Sequence, residues 1–114
     1  TGVRTAGFVP RPDRPNFVSG EVQGGVYHQF DFTREQYTAL ARLVAGLNKA
    51  LPRIRLRAPR GADGEVINHA LRRDALRGFD GVVGHFHVQT NKQDPGPACQ
   101  WDRVLSEARR LRDR

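Results

Sequence analysis

Along residues 33–51, apolar side chains recur at spacings of three and four: Tyr37, Leu40, Val44, Leu47 and Leu51. That period lays one stripe along a helix and predicts a core-facing side. "TREQ", from Thr33, is a capping box, in which the Thr33 hydroxyl takes an orphan amide and Gln36 reaches back. Pro52 ends the helix. The pattern then changes to period two in "RIRLRA", residues 53–58. Ile54, Leu56 and Ala58 point one way and Arg53, Arg55 and Arg57 the other, which predicts a half-buried strand with an arginine face. "GVVGHFHV", residues 81–88, reads as a buried strand that delivers His85 at or near its C-terminal end. "CQWDRVLSEARRLRD" predicts a second helix with an apolar stripe of Trp101, Val104, Leu105, Ala108 and Leu111. Arg109, Arg110 and Arg112 crowd its last turns, where cations suit the helix dipole.

The remaining segments punctuate these elements. Residues 1–26 read as an irregular or extended lead-in, because the prolines of "PRPDRP" (10–15) block helix. "SGEVQGG" (19–25) reads as turns around a short strand at best, "RGADG" (60–64) as a turn, and "NKQDPGP" (91–97) as a loop. Residues 67–78 have room for a short helical turn. Helix, strand, strand and helix predict an α/β domain, a mixed sheet flanked by helices. A chain of 114 residues is one such domain, 1–114.

Charge narrows the partners. Nineteen Lys and Arg against twelve Asp and Glu give a net +7, and such a balance favours polyanions or leaves a basic, solvated surface. No helix-turn-helix, zinc-finger or aromatic RNA-binding motif accompanies it, so no specific nucleic-acid partner is expected. No apolar run approaches a membrane span and no signal-peptide pattern opens the chain. The single cysteine, Cys99, excludes an internal disulfide. The chain opens on Thr1 without a Met, the expectation being a processed or trimmed terminus.

"GHFHVQTNKQDPGP", residues 84–97, carries the candidate chemistry. Hydrolytic zinc takes three protein ligands from His, Asp, Glu or Cys and keeps one position open. A histidine at a strand end and an aspartate on the following loop converge on one ion: His85, and Asp94 with its backbone fixed by Pro95, Gly96 and Pro97. Lys92, two residues before Asp94, points to the same side of an extended loop and suits oxyanion stabilisation. Spacing alone favours a surface turn with an incidental histidine.

"GHFHVQTNKQDPGPACQW" resembles the signature of the zinc-dependent N-acetylmuramoyl-L-alanine amidases, the superfamily that includes phage lysozyme amidases and peptidoglycan recognition proteins. The matching positions are Gly84-His85, the run Lys92-Gln93-Asp94-Pro95-Gly96-Pro97, and Trp101. The "DFTREQYTALARLVAGLNKALPRI" segment is similar to the family's long helix, and the resemblance covers roughly residues 27–111. It implies an amidase-like fold, zinc as cofactor, peptidoglycan or a muropeptide as partner, and hydrolysis of the amide between N-acetylmuramic acid and L-alanine. It implies His85 and Asp94 as zinc ligands and Lys92 as the residue supporting the tetrahedral intermediate. His87 matches no family ligand and reads as a groove or surface residue.

The family's first zinc ligand and general base lie on strands before the long helix, and here that part is truncated or divergent. His28 is the one histidine there and stands as the candidate third ligand; His69 reads as a surface or packing residue. Glu21 is the one glutamate there and stands as the candidate base. Three alternatives follow: an amidase whose N-terminal strands lie elsewhere, a complete site using His28 or His69, or a non-catalytic homologue that binds peptidoglycan or another anionic polymer. A half-sheet leaves a strand edge open, which predicts a homo-oligomer or a complementing N-terminal segment. The expected location is the bacterial periplasm or exterior, or the cytoplasm for a recycling enzyme.

Overall fold

Gln23 and Gly24 both take positive φ, 56° and 78°, as in the type I′ turn that closes a two-residue hairpin. The computed structural model describes Gly7 and residues 9–114, and this hairpin is its one regular sheet among them. Strand β1 (Val18–Val22) pairs antiparallel with β2 (Gly25–Gln29), from Val22↔Gly25 at the turn to Val18↔Gln29 at the open end. Helix α1 (Arg34–Ala50) follows, then the short helices α2 (Arg73–Gly78) and α3 (His85–Val88), then α4 (Trp101–Arg112). The architecture is a mixed α/β one, with helices and a two-stranded antiparallel sheet. No described helix is long and apolar enough to cross a membrane.

The expected sheet is the main correction. Residues 53–58 form no strand, although burial alternates as period two requires: Leu56 and Ala58 are buried while Arg55 and Arg57 are exposed. The segment lies beside residues 80–82 through two backbone bonds in the parallel sense, Arg55 N–H to the Asp80 carbonyl (3.1 Å) and Val82 N–H to that of Arg57 (2.7 Å). No ladder develops, because the run 81–88 does not continue as a strand. Its second half coils into α3, where the Gly84 amide donates to the His87 ring (2.9 Å) instead of to a neighbouring strand. A short apolar run does not by its period distinguish strand from helix. The hairpin stands where the sequence promised a short strand at best.

Helix α1 begins as its capping box predicts: the Gln36 amide donates to Thr33 Oγ1 (3.0 Å), and the Thr33 amide donates to Gln36 Oε1 (2.9 Å). Its buried face is rotated from the expected stripe. Tyr37, Ala41, Val44 and Ala45 are buried, whereas Leu40, Leu43, Leu47 and Leu51 are 40–59% exposed. The alanines let α4 approach, and Val104, Ala108 and Leu56 complete the core. The leucines face the side on which the expected sheet is not formed.

One buried carboxylate joins the lead-in to this core. Asp31 accepts from Arg14 Nε (2.8 Å), Gln100 Nε2 (2.9 Å), its neighbour's amide Phe32 N–H (2.8 Å) and the Tyr37 hydroxyl. Arg14 also reaches the Ala98 carbonyl at 2.5 Å. Burial pushes the Asp31 carboxyl up, but the hydrogen bonds from Arg14, Tyr37 and Gln100 outweigh it and hold the group at about 2. A depressed carboxylate contributes stability above its unfolded value, about 3.9, and loses it as pH falls through about 2. Asp31→Ala is expected to lower the free energy of unfolding by about 3 kcal/mol, since it strands buried donors. Urea denaturation at neutral pH measures this, and the deficit should shrink at about pH 2.

Candidate functional site

The loop of residues 84–98 has almost no regular structure, and side chains from elsewhere satisfy its backbone. Gln23, at the hairpin tip, gives its carboxamide N–H groups to the carbonyls of Phe86 (2.8 Å), Gln89 (2.7 Å) and Lys92 (3.3 Å). Its oxygen accepts the Ala70 amide at 3.0 Å. Gln29, at the other end of β2, donates to the Pro95 carbonyl (3.0 Å) and accepts from the Ala98 amide (2.9 Å). The loop is thus clamped near both ends by one hairpin. Two glycines permit the fit. A Cβ at Gly84 would lie 2.6 Å from Pro95 Cδ and 3.3 Å from the Trp101 ring. Gly96 has φ +84°, and a Cβ there would lie 2.4 Å from Gln29 Oε1.

This frame brings His85 and Asp94 together. His85 stands on α3 and Asp94 on the turn before Pro95, with Nδ1 3.2 Å from Oδ2. The Phe86 amide donates to the Asp94 carbonyl at 3.0 Å, so the two residues are also joined through backbone. The other imidazole nitrogen, Nε2, lies 2.5 Å from Gln89 Oε1. Both ring nitrogens therefore face oxygens, whereas a neutral imidazole donates from only one. Two ligands at about 2.0 Å from a tetrahedral ion lie about 3.3 Å apart, so the observed separation suits a shared metal as well as a shared proton. Both side chains are accessible. In donor type and spacing the pair fits two positions of a zinc site.

The other expected residues are placed as follows. Lys92 is half-buried on the same loop, its carbonyl held by Gln23. His28 is on β2, and its Nδ1 lies 2.6 Å from the Ser19 hydroxyl across the hairpin. Gln29, the next residue, points its side chain at the Pro95–Ala98 turn, so strand alternation turns the His28 ring to the opposite, solvent face. Tyr27, His28, Gln29, Phe32 and Asp94 border an open groove of about 530 Å³. Glu21 borders a separate cleft of about 420 Å³, with Glu65, Asn68 and Asp102. His69 is exposed and contacts only the adjacent Ala70 carbonyl. Among the described residues no three His, Cys, Asp or Glu side chains converge as a metal site. Residues 1–6 and Phe8, which are not described, contain none of these types.

His87, expected in a groove or on the surface, is fully buried. Its Nδ1 accepts from Gly84 N–H at 2.9 Å, so Nε2 must donate to the Ile67 carbonyl at 2.5 Å. It is a bracket for α3. Gln23, Gln29 and His87 are the residues that sequence reasoning missed, and for the glutamines no local pattern marks such a role. For His87 the one available sign was its position: one residue past Phe86, inside the apolar run. Burial pushes the His87 imidazole below its usual 6.5. The neutral ring is the one the fold needs, so its contribution is complete above about pH 6.5 and is lost as pH falls below that. The melting temperature is expected to fall between about pH 7.5 and 5.5, and the fall should be smaller in His87→Gln.

Cys99 belongs to no such arrangement: burial raises its thiol to about 12, which leaves it inert. No family model, curated protein or solved structure matches this chain.

Proposed function

We propose that this domain carries half of a zinc hydrolase site, of the type that cleaves the amide between N-acetylmuramic acid and L-alanine in peptidoglycan. The observation that carries the proposal is the His85–Asp94 pair, 3.2 Å apart on a loop clamped by the hairpin. His85 and Asp94 would hold the ion, and zinc when bound supplies a Lewis acid. Lys92 donates to the oxyanion that develops on the attacked carbonyl. The groove bordered by Tyr27, Phe32, Asp94 and Pro95 would offer a mostly apolar surface with an acidic edge to a muropeptide. Glu21 lies in another cleft, so no residue is assigned as base. The reading requires a third ligand, and no described His, Cys, Asp or Glu stands with His85 and Asp94 to supply it.

A second reading is favoured by the same incompleteness: a homologue that binds peptidoglycan without cutting it. The two separate by zinc titration of the purified chain with Asp94→Ala and Lys92→Ala, followed by muropeptide hydrolysis. A two-ligand site binds zinc weakly, with a dissociation constant above about 10 µM, because each ligand contributes to one coupled free energy. Asp94→Ala is expected to abolish that binding, while Lys92→Ala keeps it and lowers any turnover by at least tenfold. Zinc affinity unchanged in Asp94→Ala would refute the half-site. Muropeptide binding without zinc-dependent turnover would favour the second reading.

A further inference from the structure

The hairpin is the part of this molecule best suited to meet a second copy of itself. Residues 16–30 carry one formal charge, Glu21, in a chain of net +7. Phe17, Val26 and Phe30 are 58–69% exposed there, and the Phe17 and Phe30 rings stack with centroids 4.2 Å apart. Among the described residues β2 has β1 as its only strand partner. In a two-residue hairpin the pair flanking the turn, Val22↔Gly25, exchanges hydrogen bonds, and so do Gly20↔Tyr27 and Val18↔Gln29. The backbone N–H and C=O groups of Val26 and His28 therefore point away from β1. This is an open edge without charge.

We propose that β2 pairs with β2 of a second copy, antiparallel about a two-fold axis at Tyr27, to make a four-stranded sheet. In that register Val26 faces His28 of the second copy and His28 faces its Val26, which closes four backbone hydrogen bonds. Phe30 comes opposite Gly24 of the second copy, where an aromatic ring covers a position without a side chain. This edge differs from the other exposed apolar surface, the row Leu40, Leu43 and Leu47 on α1, in presenting unpaired backbone donors and acceptors, which the side of a helix does not. Across the paired hairpins the two Glu21 residues are about three strand spacings apart, roughly 14 Å, beyond the Debye length of about 8 Å. Five residues a side make a small interface, and the expected dissociation constant is about 10–100 µM. Nothing in this step depends on the zinc reading.

Sedimentation equilibrium over about 5–500 µM, with a chelator present to remove metal bridges, tests the proposal. A dimer is expected. Val26→Lys, at an exposed position, should weaken it at least tenfold. His28→Pro should do the same, since it removes an outward N–H and no backbone bond of the hairpin, with His28→Ala as the control for the lost Ser19 contact. Leu43→Lys should leave the constant unchanged. A monomer at the highest concentration would overturn the proposal. So would a dimer that survives Val26→Lys, or one that Leu43→Lys dissociates.

Discussion

The carboxamide of Gln23 reaches three carbonyls and one amide of segments 45–70 residues away in sequence. The constraint behind this is general. A buried backbone group left unpaired costs as much as a lost hydrogen bond, and irregular loops have no ladder to supply partners. Residues 51–72 and 79–100 contain only one four-residue helix between them. Their carbonyls and amides must find side chains, and a few polar residues serve them. Gln23 holds the start of the 84–98 loop, Gln29 its end, His87 the turn between, and Asp31 with Tyr37 the approach to α4. Among the described residues no buried side-chain polar atom is without a partner.

The hairpin's place in this scheme explains its turn. Gln23 sits at a positive φ that a non-glycine residue adopts at a cost. The cost is offset because that conformation aims the side chain into the loop while its own amide donates to the Asn68 carbonyl at 2.9 Å. Glycine would relax the turn and lose every one of the side-chain bonds. The loop, in turn, leaves Gln29 its place only because position 96 has no Cβ. Hairpin and loop are therefore one unit, and the His85–Asp94 geometry is a property of that unit more than of α3.

Legibility followed the range of the interactions. The capping box, the two long helices and the alternation of Leu56 and Ala58 with arginines depend on neighbours within a few residues, and the sequence showed them. Gly84-His85 and Asp94 were visible as a motif, and they are together. The strand at 81–88 failed because its apolar run fits a turn of helix once His87 takes the Gly84 amide, a bond between side chain and backbone that no periodicity encodes. The leucine stripe on α1 failed by a rotation, because Ala41 and Ala45 accept close packing by α4 where leucines do not. His28 and Glu21 stand out in the sequence only as the residues of their type before the helix, a criterion without geometry. Strand alternation, once the hairpin register is known, turns the His28 ring away from Asp94.

The His85–Asp94 contact has a double use that follows from its length. At 3.2 Å it is an acceptable hydrogen bond and nearly the edge of a tetrahedral coordination shell. Both imidazole nitrogens face oxygens, Asp94 Oδ2 on one side and Gln89 Oε1 on the other. In the proposed half-site a divalent ion would gain two protein donors here, and further ligands would have to offset its lost hydration. The clamps at Gln23 and Gln29 hold the separation of His85 and Asp94, so a third donor brought to the proposed half-site would meet both groups already in place.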